Sequence, residues 1–140
     1  MDCVVTPLKT LMGFSVHLNV QLKFYNLPNI KEYNFLENKH GSEDGFYIYS
    51  DGQRYHFVYS ERGTENKHNV TDNLFEITYW VISSITDTLA IRYMRTHILP
   101  NQSQRKIIFD KKLSLLSIVG ENYKKAGEIE ISEILKTSPL

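Results

Sequence analysis

The chain has 140 residues, 41% of them hydrophobic, 12% aromatic and 23% charged, the composition of one folded globular domain rather than a disordered or collagenous chain. A chain of this length buries roughly two-thirds of the surface its unfolded form exposes, so it needs neither disulfides nor a structural metal, and its one cysteine, Cys3, allows no internal disulfide. Sixteen Lys+Arg balance sixteen Asp+Glu, so net charge points to no nucleic acid, membrane or basic partner.

At the N-terminus, Asp2 stands where a signal peptide carries positive charge, and no small-residue cleavage site follows in MDCVVTPLKT; the expectation is a chain that stays in the cytoplasm. From Pro7 to about Phe24, the residues Leu8, Leu11, Met12, Val16, Leu18 and Leu22 fit a helical stripe weakened by Gly13. Leu27-Pro28-Asn29 ends it, and the polar, turn-rich stretch to Gly45 reads as a connection, so residues 1–45 are expected to be helix plus loop.

Phe46 to Ser50 and Gln53 to Ser60 are rich in Tyr, Phe, Ile and Val and flank Asp51-Gly52, the dipeptide favoured in two-residue type I′ turns. A β-hairpin over 46–60 is expected, with Ser50 opposite Gln53, Ile48 opposite Tyr55 and Phe46 opposite Phe57. Strand alternation then places Phe46, Ile48, Tyr55, Phe57 and Tyr59 on a core face. The other face carries Tyr47, Tyr49, Arg54, His56 and Val58, read as a solvated or contact surface. Glu61 to Thr71 reads as a polar loop in which Glu61-Arg62-Gly63 is either simple turn chemistry, with Gly63 supplying a positive φ, or a site where Arg62 forks onto a carboxylate of this chain or of a partner.

The helical part is expected over 72–136. Asp72 is a candidate N-cap for a central helix running to about Leu99 on the stripe Leu74, Ile77, Trp80, Val81, Ile85 and Leu89. Pro100 ends it, Ser103 caps a second helix that stops at Gly120, and Tyr123, Ala126, Ile131, Ile134 and Leu135 outline a last helix before Pro139. Strands in the middle and helices around them give an α+β fold, a small antiparallel sheet centred on the hairpin and packed against several helices, in a single domain over 1–140.

Catalytic chemistry finds little support. The histidines at 17, 40, 56, 68 and 97 never recur at metal-ligand spacing, and neither a zinc site nor any other cofactor site is indicated. No serine sits in a nucleophile elbow, no glycine pattern cradles a phosphate, and Cys3 has no base beside it. Glu128, Glu130 and Glu133 straddle helix faces and read as solvated charge. Arg92 to Lys112 holds six basic residues against Asp110 alone, which suggests phosphate contact. Basic residues near a helix C-terminus are favoured by the helix dipole in any case, and no stacking platform is recognisable.

The order of motifs carries more. A tyrosine-rich hairpin is followed by Glu61-Arg62-Gly63, by YWVISSIT with Tyr79-Trp80, by QRKIIFDKKLSLL with Arg105-Lys106 and Phe109, and by EILKTSP running to Pro139. From Phe46 to Pro139 this order resembles the immunity protein 63 family of bacterial polymorphic toxin systems. The resemblance implies a small cytoplasmic bacterial protein, without enzymatic activity or cofactor, whose partner is a cognate toxin domain that it binds and neutralises by occlusion. Glu61, Arg62, Gly63, Tyr79, Trp80, Arg105 and Phe109 are the matched motif positions, expected to be structural. Tyr47, Tyr49, Arg54 and His56 are the expected toxin contacts, because aromatic and arginine anchors dominate many interfaces. The rival readings are a nucleic-acid-binding module using 92–112 and an enzyme of unrecognised type.

Overall fold

A computed structural model of the chain describes residues 33–36, 45–51 and 53–140. The helix expected from Pro7 to about Phe24, and Gly52 itself, lie outside the described residues. The chain divides into two compact units, Met1–Thr78 and Tyr79–Leu140, and the architecture is α+β.

In the first unit, β1 (Tyr33–Leu36), β2 (Gly45–Ser50), β3 (Tyr55–Glu61) and β4 (Thr64–Thr71) form one sheet in the order β1-β2-β3-β4. β2, β3 and β4 are antiparallel neighbours, whereas β1 runs parallel to β2, pairing Tyr33 with Phe46 and Leu36 with Tyr49. β1 falls where only helix and loop were expected. Four residues are too short a run for alternation to stand out, and the strand is defined by its pairing.

The expected hairpin is present with a longer turn. Ser50 pairs with Tyr55, Ile48 with Phe57 and Phe46 with Tyr59, so residues 51–54 form the connection. Asp51 explains the shift: its Oδ1 accepts from the amides of Gln53 (2.8 Å) and Arg54 (2.7 Å), and its own N–H donates to the Arg54 carbonyl (3.2 Å). An aspartate side chain that mimics a backbone turn in this way closes the loop two residues wider than a type I′ turn would. A register change of two residues keeps every side chain on its expected face. Phe46 accordingly lies beside both Phe57 (5.3 Å between ring centroids) and Tyr59 (4.7 Å).

Both faces of the hairpin are buried. Ile48, Tyr55 and Phe57 are at most 2% exposed, and on the opposite face Tyr47 and Val58 are at most 1% exposed and Tyr49 6%. Strands covered on both sides read as near-continuous apolar runs, which is what FYIY and FVY are; a half-solvated strand would alternate.

The tight turn of the sheet is the next one. Glu61 pairs with Thr64 across Arg62 and Gly63, whose φ angles are 53° and 76°, both positive as a type I′ turn requires. The strand that follows, β4, was expected to be loop. Its sequence TENKHNVT has no apolar alternation and is almost wholly exposed, so pairing with β3 makes it a strand. Its charges suit a sheet edge, where they discourage further strands from adding.

Three helices follow: α1 (Leu74–Thr96), α2 (Gln104–Val119) and α3 (Glu121–Thr137). Asn73, not Asp72, caps α1, its Oδ1 accepting from the Glu76 amide at 2.9 Å. α1 also stops before Leu99. The Thr96 hydroxyl donates to the Tyr93 carbonyl (3.2 Å), His97 N–H bonds the Met94 carbonyl (3.1 Å), and a residue before proline disfavours the helical region, which Leu99 obeys. Ile98 and Leu99 are consequently exposed, at 57% and 54%. Ser103 caps α2 as expected, and Gly120 N–H closes its end on the Leu116 carbonyl at 3.0 Å. Within the helical unit Val81, Ile82, Ala90, Leu116 and Ile131 are buried. Gly127 lets α3 approach α2 closely: a Cβ there would stand 2.4 Å from the Leu116 Cδ1 methyl.

Candidate functional site

The four expected contact residues separate in the structure. Tyr47 and Tyr49 are buried, so the expectation that their face is an open surface is corrected for both. Arg54 is exposed and precedes β3 rather than lying on a strand, and the His56 side chain is 13% exposed. His56 stacks on Tyr49 with ring centroids 4.2 Å apart and planes 7° from parallel, which gives the buried tyrosine a polar cover.

His56 is part of a polar chain that the sequence did not disclose. Its Nε2 bonds Asp51 Oδ2 at 2.8 Å, its Nδ1 meets His68 Nε2 at 2.8 Å, and His68 Nδ1 bonds Glu65 Oε1. The register brings these groups together: Tyr49, His56 and Val70 are successive cross-strand partners, as are Tyr47, Val58 and His68, so both imidazoles occupy one face. The bond from His56, helped by the Arg54 and Gln53 amides, holds the Asp51 carboxyl down at about 2 against an ordinary 3.8. This arrangement ties the β2–β3 turn to the edge strand. Among the described residues, no group of three or more His, Cys, Asp or Glu is placed to hold a metal ion.

The helical unit contains a second network. Lys112 is 3% exposed, and its Nζ donates to Glu130 Oε1 (2.6 Å), Ser83 Oγ (2.8 Å) and Asp87 Oδ1 (2.9 Å). Glu130 Oε1 also accepts from the hydroxyls of Tyr79 (3.2 Å) and Ser83 (3.4 Å). Burial first, then the Glu130 charge, pushes the Tyr79 phenol above its ordinary value. Two expectations are corrected here. Lys112 is an internal cation and not part of a basic surface, and Glu130 is its counter-ion and not idle solvated charge. A signal existed for Lys112, which lies on the apolar stripe of α2 with Ile108, Leu115 and Leu116 at helical spacing. Nothing in the sequence singled out Glu130.

The other motif positions are structural in their geometry. Arg62 and Gly63 form the I′ turn that Glu61 and Thr64 close. Trp80 is half-buried on α1. The Arg105 guanidinium lies 5.4 Å from the centre of the Phe109 ring and donates to Ser138 Oγ and the Pro139 carbonyl, both at 3.3 Å. Two separate motifs, the start of QRKIIFDKK and the end of EILKTSP, thus meet through one side chain.

These positions are what a family model would be expected to register, and the model for immunity protein 63 matches residues 51–133, more than half of the chain. The chain belongs to the immunity protein 63 family. The match opens at the Asp51 turn and takes in β3, β4, α1, α2 and most of α3, including both polar networks and every motif residue from Glu61 to Phe109. Comparison with curated proteins and with solved structures found no match. Among the described residues no helix is long and apolar enough to cross a membrane.

Proposed function

We propose that this family member protects a bacterial cell by binding a cognate toxin domain in the cytoplasm and covering its active site or the path to it, with no chemical step of its own. The observation that carries this reading is the immunity-family match over residues 51–133. Geometry supports it in two ways. The histidine chain ends on carboxylates at both sides, so its ring nitrogens already have partners within the fold. Three of the six basic residues in the segment expected to bind nucleic acid are engaged within the fold: Lys112 is internal, Lys106 pairs with Asp110 at 2.7 Å, and Arg105 bonds Ser138 and Pro139. Of the contacts expected from the sequence, Arg54 has the exposure a contact needs. The test is co-expression with the toxin domain encoded beside this gene, followed by co-purification and a survival assay. A stable complex with rescued growth is expected; a chain that neither binds nor protects overturns the proposal.

A further inference from the structure

Among the described strands β4 pairs with β3 alone, which leaves its far side as an open edge of the sheet. Residues 64–68 and 70 are exposed along it. The direction of its backbone groups follows from the hairpins. The Arg54 carbonyl accepts from the Asp51 N–H, toward β2, and in an antiparallel ladder successive residues turn their N–H and C=O groups to alternate sides. Tyr55, Phe57 and Tyr59 therefore bond toward β4, where their partners are Thr71, Asn69 and Lys67. His68 and Val70, the residues between, turn their N–H and C=O groups outward. A register shift at Tyr59 and Ser60 puts Asn66 outside the pairing, so the regular stretch of this edge is 67–71.

The side chains along the edge differ in their commitments. Glu65 is bonded to His68 and His68 to His56, which pins the strand to its neighbour. Lys67 lies on the opposite face, its ammonium 5.8 Å from the centre of the Phe57 ring, and forms no ion pair among the described residues. Val70 is 39% exposed, and Leu74, the first residue of α1 just beyond the strand, is 52% exposed. Outward main-chain donors and acceptors, an uncommitted positive charge and exposed apolar area thus share one short stretch. The strand that carries them is already held in place, so pairing costs little ordering entropy.

The geometry points to the open edge of β4 as the place where an extended segment of the toxin domain adds to the sheet as a further strand. The inference rests on the immunity reading and gives it a surface. The segment's backbone bonds to His68 and Val70, and it sets a carboxylate beside Lys67 and an apolar side chain beside Val70. Those two side chains lie on opposite faces, because their positions are three apart along a strand. Main-chain bonds supply affinity and the side-chain positions supply selection. The charges and the bulge that keep strands at large from adding here admit one whose side chains answer them. A second copy of β4 answers them poorly, since its one carboxylate, Glu65, is held by His68.

The test uses the full chain and the purified toxin domain encoded beside it. Backbone hydrogen exchange followed by NMR reads the edge directly: complex formation is expected to slow the His68 and Val70 amides about tenfold or more. Affinity is read by calorimetry and folding by thermal melting. Val70→Pro removes an outward N–H at a position that an edge strand tolerates, and is expected to weaken binding about tenfold or more at unchanged melting temperature. Val70→Ala keeps the N–H and is expected to lose less. Lys67→Glu is also expected to weaken binding about tenfold, whereas Lys125→Glu, an exposed position on α3 with the same change in net charge, is expected to bind like wild type. Should Val70→Pro lower the melting temperature, exchange in the wild-type complex decides. A complex in which His68 and Val70 exchange as in the free chain overturns the added strand while the immunity role stands. Equal losses from Val70→Ala and Val70→Pro, or from Lys67→Glu and Lys125→Glu, overturn it too. Absence of a wild-type complex overturns the immunity reading and the strand together. Slowing of the two amides in the free chain as its concentration rises, with dimers in sedimentation, assigns the edge to a second copy and overturns the toxin strand.

Discussion

Lys112 carries its ammonium group into the interior of the helical unit. An ammonium group removed from water costs several kcal/mol unless charge and hydrogen bonds replace its hydration, and here two carboxylates and a hydroxyl do so. The partners are unequal: the Lys112 side chain is 4% exposed, but those of Asp87 and Glu130 are 49% and 39% exposed. Removing the cation therefore leaves two carboxylates that water can reach, whereas removing both carboxylate charges strands a buried cation. Lys112→Met is expected to cost about 1 to 2 kcal/mol, and Asp87→Asn with Glu130→Gln about 3 to 5 kcal/mol, approaching the cost of an unpaired buried charge. Urea unfolding of the two proteins checks the order. A larger loss from Lys112→Met would mean that its packing, not its charge, dominates.

Among elements, the β3–β4 hairpin shows what sequence patterning reveals and what it hides. β2 and β3 were legible because Tyr, Phe, Ile and Val crowd together between turn residues, and the α2 boundaries were legible because Ser103 and Gly120 are direct chemical stops. β4 was not legible. No periodicity in TENKHNVT distinguishes a polar edge strand from a loop, and its register with β3 exists only once the sheet has formed. With β4 unseen, His68 could not be placed beside His56, so the polar chain through Asp51 and Glu65 stayed hidden for the same reason. The turn chemistry was legible in kind and misplaced in position: the I′ geometry belongs to Arg62-Gly63, while Asp51 opens a wider loop controlled by its side-chain carboxylate. A non-glycine residue at a φ of 53° carries a steric cost of about 1 kcal/mol. Arg62→Gly removes that backbone cost together with the side chain's own interactions, so a net change within about 1 kcal/mol is expected, while Gly63→Ala, which places a Cβ at a φ of 76°, lowers stability by about 1 kcal/mol or more. Thermal denaturation of both variants is the measurement. Strong destabilisation by Arg62→Gly would assign the arginine side chain a greater structural role than its backbone conformation.

For the whole molecule the decisive question is how protection scales with the amount of protein, because occlusion and catalysis obey different arithmetic. An occluding partner is consumed in the complex: each toxin domain needs one immunity chain for as long as it remains blocked. An enzyme acting on the toxin or its product would turn over, and a small fraction of an equivalent would suffice given time. The chain is neutral overall, so its field does little to gather a partner from a distance, and affinity has to come from a fitted surface with slow dissociation. Titrating purified chain into a fixed concentration of toxin domain, held well above the dissociation constant, is therefore expected to lower toxin activity linearly to zero at the equivalence point, with the residual activity constant over time at every ratio. Progressive loss of activity at sub-equivalent ratios would identify a catalyst and remove occlusion as the mechanism. The same titration with Arg62→Gly and Gly63→Ala is expected to keep the equivalence point wherever the variant remains folded, as a turn that only shapes the sheet would.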